Sequence, residues 1–417
     1  MSENKKSGFI QKLKIIVLSL GPGLFIIGYN VGTGSVTTMA STGAEYGMML
    51  AWPLLLSCIF TYILIVIFGK YTIVTGDTII HSYKKHFGKP TALFVLVALI
   101  FTEAVSSIGV MGIVTQVTQE WSRPLTSSGN GINPIISTIG YAAILFALMW
   151  NGKQNFIEKV LAIFVGIMGL SFFVTMFMVV PEPSEIFEGM LSGIPNESNA
   201  FLLVAGMVGT TMGAVIYVVR SILIKGKGWT LKDIKLEKRD AKVSATLMFL
   251  LSIAVMAAAA GTLYKQGLKI DNAIDMVNLL EPMAGRFALS IFVGGIIAAG
   301  LSSLFPHILL APMLIADYKG EVPNLKSKSS RLIALGILSM GLLVPLLGGR
   351  PVLVMIASQA FIAAVTPLVI LLMMILMNRK DIVNEHVLTP VKNILVGTIL
   401  IFSTIIAVLG VIGIFGI

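Results

Sequence analysis

Eleven long apolar runs constrain this chain more than any other feature. They lie at approximately 15–42, 48–69, 91–118, 134–151, 157–180, 200–223, 243–264, 286–315, 332–349, 352–377 and 393–416. A helix needs about 20 largely apolar residues to cross a bilayer core. Nothing between the runs is long enough for a separate soluble domain. The expectation is an all-α polytopic membrane protein of eleven transmembrane helices. Only 12% of the residues are charged, too few to cover a soluble surface, which disfavours a soluble enzyme, a disordered chain or a nucleic-acid module. The single cysteine, Cys58, excludes an internal disulfide framework and a thiolate metal cluster. The first run follows Lys5, Lys6, Lys12 and Lys14 but is too long for a signal-peptide core, so it reads as a retained span.

The net charge of +10 suggests an acidic partner until its residues are placed. With the N-terminus in the cytoplasm and eleven crossings, 24 of the 30 Lys and Arg residues fall inside, five fall outside, and Arg220 lies within a span. That asymmetry is the positive-inside signature. It puts the C-terminus outside, in a membrane expected to be the plasma (inner) membrane. The basic stretch Lys232–Lys242 is expected to meet cytoplasmic-leaflet headgroups rather than nucleic acid. The partners are thus the bilayer and a small ion or molecule. No cofactor is implied, and no nucleophile-elbow context points to an enzyme.

Eleven spans divide into a cytoplasmic tail (1–14), a five-helix repeat (15–180), a second inverted five-helix repeat (200–377) and an extra helix (393–416). Such 5+5 inverted repeats are common in secondary transporters, whose site lies where one helix of each repeat is interrupted. The first span carries Asn30-Val31-Gly32-Thr33-Gly34-Ser35, and the sixth carries Val208-Gly209-Thr210-Thr211-Met212-Gly213. Glycine costs roughly 1 kcal/mol in a helix interior. These glycines could serve as packing contacts between spans, but two clusters in corresponding positions, each beside Thr or Ser, favour paired breaks. Gly32, Thr33, Ser35, Asn30, Thr210, Thr211, Met212 and Gly213 are therefore the candidate substrate-binding residues.

Several segments resemble the Nramp family of divalent-metal transporters. They are Gly21-Pro22-Gly23, the run from Gly34-Ser35 through Gly43-Ala44-Glu45-Tyr46-Gly47 to Trp52, Ala299-Gly300-Leu301-Ser302-Ser303, Ser358-Gln359, and Asn378-Arg379-Lys380-Asp381. The resemblance implies a LeuT-like fold with broken helices 1 and 6. It adds Gln359 to the candidate site and implies transport of a metal such as Mn2+, Fe2+ or Mg2+. By the same resemblance Glu103 falls where the family has a proton-pathway acid, and Arg331 is similar to an arginine near that path. The metal ligands are not carried over. The family's first break reads Asp-Pro-Gly-Asn, and here those positions are Gly32, Thr33, Gly34 and Ser35. Its sixth break reads Met-Pro-His, and here those positions are Gly213, Ala214 and Val215.

A bare dication at the bilayer midplane is costly without ligands that neutralise it. Hydroxyls, carbonyls and Gln359 suit a hydrated hard ion, but they suit an uncharged or zwitterionic solute as well. Three functions stay open: an Nramp-like, proton-linked metal transporter with alternating access, a transporter of a non-metal solute, and a non-transporting sensor on the same scaffold. Glu103 reads as the one acid deep within a span and the candidate for proton coupling. Arg220 reads either as a cation in the inner vestibule, available to Glu103, or as an arginine snorkelling to the headgroups. Arg331 reads, with a slight preference, as a positive-inside anchor. His81 and His86 lack the i, i+4 spacing of a helical metal pair. His307, beside Pro306, is expected to pack in the core or to meet a hydroxyl. Glu45 and Asp317 are expected to be wet.

Overall fold

The computed structural model describes residues 21–151, 183–191, 193–270 and 281–416, with scattered positions between 152 and 182 and at Asp275. The N-terminal tail and most of the run at 157–180 lie outside the described residues. In the order of the chain, the principal helices are α1 (Gly21–Asn30), α2 (Thr33–Tyr46), α3 (Ala51–Thr75), α4 (Ile79–Phe87), α5 (Lys89–Ser122), α6 (Pro134–Asn151), α7 (Ser198–Met212), α8 (Ala214–Lys227), α9 (Ile234–Thr262), α10 (Glu281–Lys319), α11 (Lys328–Met340), α12 (Pro351–Asn378) and α13 (Pro390–Phe415). No strand occurs among the described residues. Eight helical stretches there are long and apolar enough to cross a membrane. Hydrocarbon offers no hydrogen bonds, so each apolar run satisfies its backbone internally as a helix.

The two expected breaks are present. α1 ends at Asn30 and α2 begins at Thr33, with Val31 and Gly32 between them. α7 ends at Met212 and α8 begins at Ala214, separated by Gly213 in an extended conformation (φ −64°, ψ 144°). The broken pair α7 and α8 is the most enclosed element, and Leu202 through Ile224 are buried throughout. α7 packs most extensively on α12 and α13, and α8 on α3, while α5 packs on α10 and α12, and α9 on α2 and α3. Glycine sets the closest approach between α7 and α12. A methyl group at Gly209 would collide with the main-chain carbonyl of Gln359.

Asp317 differs from its expected wet placement, and the basic stretch Lys232–Lys242 proves largely helical, because α9 starts at Ile234 and runs continuously to Thr262. Its lysines are exposed, while Glu237 and Asp240 on the opposite face are buried. Asp317 is also buried, at 2% exposure. It accepts hydrogen bonds from the Thr78 hydroxyl and from the backbone N–H groups of Ile80 (3.1 Å) and His81 (3.4 Å). These are the unsatisfied donors of the first turn of α4, so Asp317 caps that helix from across the fold.

Candidate functional site: a polar cavity at the paired helix breaks

A small cavity lies where α1, α2, α5, α7, α10 and α12 converge. Tyr29, Gly34, Ser35, Ser106, Thr210, Ser303, His307, Met355, Gln359 and Ile362 line it. The centre of a water-sized sphere can occupy only about 10 Å³ of it, which is room for roughly one water molecule. Gln359 spans the site. Its side-chain carbonyl accepts from the Thr38 hydroxyl at 2.6 Å, and its amide nitrogen lies against Gly34, where any side chain would displace it.

Three backbone groups freed by the break in the sixth span are satisfied by side chains. The Thr211 carbonyl accepts from the Thr61 hydroxyl at 2.7 Å, and the Met212 carbonyl from the Tyr217 hydroxyl at 3.1 Å. The Ala214 N–H donates to the Thr366 hydroxyl at 3.0 Å. The two breaks are tied together by the Thr210 hydroxyl, which donates to the Asn30 carbonyl at 3.1 Å. An unpaired buried amide costs about as much as a lost hydrogen bond, so these side chains are what allow a break inside the membrane.

Of the candidate residues, Ser35, Thr210 and Gln359 reach the cavity wall. Gly32 packs against Ser303 of α10, with no room for a methyl group. Asn30 points its amide at the Met248 sulfur (3.4 Å), leaving Oδ1 buried without a partner. The Thr33 hydroxyl is likewise buried and unpartnered. Thr211 turns to Ser57 of α3 (2.6 Å). Met212 and Gly213 do not line the cavity.

Behind the wall stands a network centred on Glu103. The Tyr29 hydroxyl donates to one carboxylate oxygen at 2.6 Å, and His307 Nδ1 bonds the other. His307 Nε2 lies 3.1 Å from the Ser303 hydroxyl. Tyr29 also meets the imidazole edge-on, with centroids 5.2 Å apart. Both oxygens of Glu103 are thus occupied, and Tyr29 and His307 carry its influence to the cavity. The sequence reading left His307 with core packing or a hydroxyl. It finds the hydroxyl, but its stronger partner is Glu103. Helical spacing carried a usable signal, since His307 lies one turn after Ser303 in the motif Ala299–Ser303.

Arg220 requires correction. It is neither in a vestibule nor at the headgroups but completely buried. Its two terminal nitrogens bond Glu237 and Asp240, and Trp229 lies over the guanidinium at 5.5 Å. Residues three apart on a helix share a face, so α9 offers both carboxylates to the forked guanidinium at once. Glu103 is accordingly not the one buried acid of the bundle. Arg331 sits in the first turn of α11, its guanidinium 3.6 Å from the centre of the Trp150 ring. No contact joins it to Glu103 among the described residues. No group of three or more His, Cys, Asp or Glu side chains is gathered to hold a metal ion among the described residues.

Two interrupted helices crossing at a central polar cavity within an all-helical membrane bundle define a LeuT-like fold. The solved manganese transporter of Eremococcus coleocola, in complex with an aromatic bis-isothiourea compound, superposes with a TM-score of 0.75. It is 14% identical, over 97% of this chain and 89% of that one. A Na+-coupled sialic acid symporter shares the fold more distantly, with a TM-score of 0.63 at 14% identity over 94% of this chain and 90% of that one. The model for natural resistance-associated macrophage protein-like sequences (Nramp) matches residues 23–413. The chain belongs to the Nramp family of membrane transporters. Similar curated proteins include the divalent metal cation transporter MntH of Caldanaerobacter subterraneus, 23% identical over 94% of this chain and 93% of the relative. The MntH of Clostridium acetobutylicum is 22% identical over 97% and 94%.

Proposed function

We propose that this chain is a secondary transporter, not an enzyme, that carries a small hard metal cation by alternating access. The observation that carries the reading is the cavity itself. It lies at the paired breaks, is walled by hydroxyls and the Gln359 amide, and is backed by Glu103 through Tyr29 and His307. Oxygen donors suit Mg2+ and Mn2+, whereas dehydrated softer metals call for imidazole or sulfur clusters. Glu103 supplies the nearby formal negative charge that a cation in a low-dielectric site requires. Membership of the Nramp family and the names of the MntH relatives support a metal as cargo. Proton linkage at Glu103 belongs to the same proposal, as does an orientation with the N-terminus in the cytoplasm.

One observation favours a second reading, transport of a neutral solute: the cavity wall carries no carboxylate. Room for about one water weighs against an organic cargo in this conformation. Uptake by purified protein in liposomes separates the two. The expected result is Mg2+ or Mn2+ accumulation above empty liposomes, reduced by Gln359→Ala. Folded protein that accumulates neither ion would overturn the metal reading.

A further inference from the structure

A groove of about 350 Å³, which shares no lining residue with the central cavity, runs between α3 and α9 on the outer face of the bundle. We propose that it binds an anionic phospholipid, whose acyl chain fills the groove and whose phosphate meets Lys242. From α3 the groove takes Leu55, Cys58, Ile59 and Tyr62. From α9 it takes Lys242, Ala245, Thr246 and Phe249. Both sets follow the i, i+3, i+4, i+7 spacing of one helix face. The walls are two apolar spanning helices, so the groove opens onto lipid rather than water, and an acyl chain is the occupant that matches it.

Charge distinguishes its two ends. Gly69, near the C-terminal end of α3, lies against the Glu237 side chain in the first turns of α9. The helices are therefore antiparallel, and Tyr62 and Lys242 lie toward the end that carries Lys70 and Lys238. Lys235, Lys238 and Lys242 continue the groove's own helix face outward as an exposed basic stripe. No acidic side chain pairs with Lys242 among the described residues. The buried acids of α9, Glu237 and Asp240, are committed to Arg220 on the far face. Converging lysines without a counter-charge, at the mouth of an apolar groove in a spanning bundle, complement a phosphate carried on an acyl chain. A phosphatidylcholine would bring its own cation and lose that advantage.

The test is native mass spectrometry of the full chain after incubation with equal phosphatidylglycerol and phosphatidylcholine. Wild type is expected to retain one phosphatidylglycerol in preference. Lys242→Gln is expected to weaken that retention about five-fold, the effect of one basic residue near a membrane surface. Thr246→Trp, which fills the groove without touching charge, is expected to abolish it. Lys328→Gln, an exposed lysine elsewhere, should leave it unchanged. Equal retention of the two lipids by wild type would overturn the proposal. So would unaltered phosphatidylglycerol retention in both groove variants. Displacement of the lipid by millimolar inorganic phosphate would assign the site to a free anion instead.

Discussion

Glu103 and His307 are separated by 204 positions in the chain, yet they share a hydrogen bond in the buried interior of the bundle, joining α5 to α10. With the proton on Nδ1, the imidazole donates to the carboxylate while Nε2 accepts from the Ser303 hydroxyl. The pair carries titratable chemistry to the edge of the central cavity without placing a bare carboxylate on its wall. Removing one partner of such a buried pair costs about 3–5 kcal/mol, whereas replacing both with apolar residues is often near neutral. His307→Ala should therefore lower thermal stability in detergent more than a Glu103→Leu/His307→Leu double variant does. Equal losses for the two would show that the pair is not coupled.

Glu103 also bears on transport. Glu103→Gln keeps an acceptor for the Tyr29 hydroxyl but cannot exchange a proton. The expected outcome in proteoliposomes is loss of substrate-linked acidification with substrate binding retained. Undiminished acidification would remove Glu103 from the coupling path.

The Arg220 cluster makes a second stability prediction. Arg220→Met would leave Glu237 and Asp240 buried side by side without their cation. The expected loss is again about 3–5 kcal/mol by unfolding in detergent. Arg220→Lys should recover only part of it, because a point charge cannot reach both carboxylates as a planar fork does.

Close packing between α7 and α12 can be probed at two neighbouring glycines. A side chain at Gly209 meets the rigid carbonyl of Gln359, whereas one at Gly206 meets the Ile356 side chain at 3.0 Å, which can give. Gly209→Ala should cost about 1–3 kcal/mol through overpacking and displace Gln359 from the cavity, lowering uptake. Gly206→Ala should do neither to the same degree. Matching effects at both sites would argue against a specific contact at Gly209.

The break between α7 and α8 should depend on its side-chain partners. Tyr217→Phe strands the Met212 carbonyl and Thr366→Val strands the Ala214 N–H. Each should cost about 1–3 kcal/mol, the penalty of a buried unsatisfied group. Unchanged melting of both variants would mean that the break relaxes to find other partners.

The helices and the two breaks were legible in the residues because their causes are local. A long apolar run has one low-energy backbone solution in lipid, and clustered glycines mark where it is least favourable. Val31-Gly32 and Gly213 are where the helices part. The candidate site was legible only in part. Ser35, Thr210 and Gln359 meet at the cavity, but Thr211 and Asn30 turn away to Ser57 and Met248. Which way a hydroxyl or amide faces depends on neighbours hundreds of residues off, and helical periodicity carries no trace of them.

Acids and bases show the division most clearly. Their number is a property of sequence alone, as are the apolar runs and the absence of the family's Asp, Asn and Met at the breaks. Their pairing is not. Arg220 found Glu237 and Asp240 because α8 and α9 both pack on α1 and α3, which brings the long guanidinium to the face of α9 that carries both acids, and Glu103 found His307 because α5 packs on α10. A buried charge is stable only beside its partner. That choice of partner is made by the helix contacts and becomes visible only once the bundle has closed.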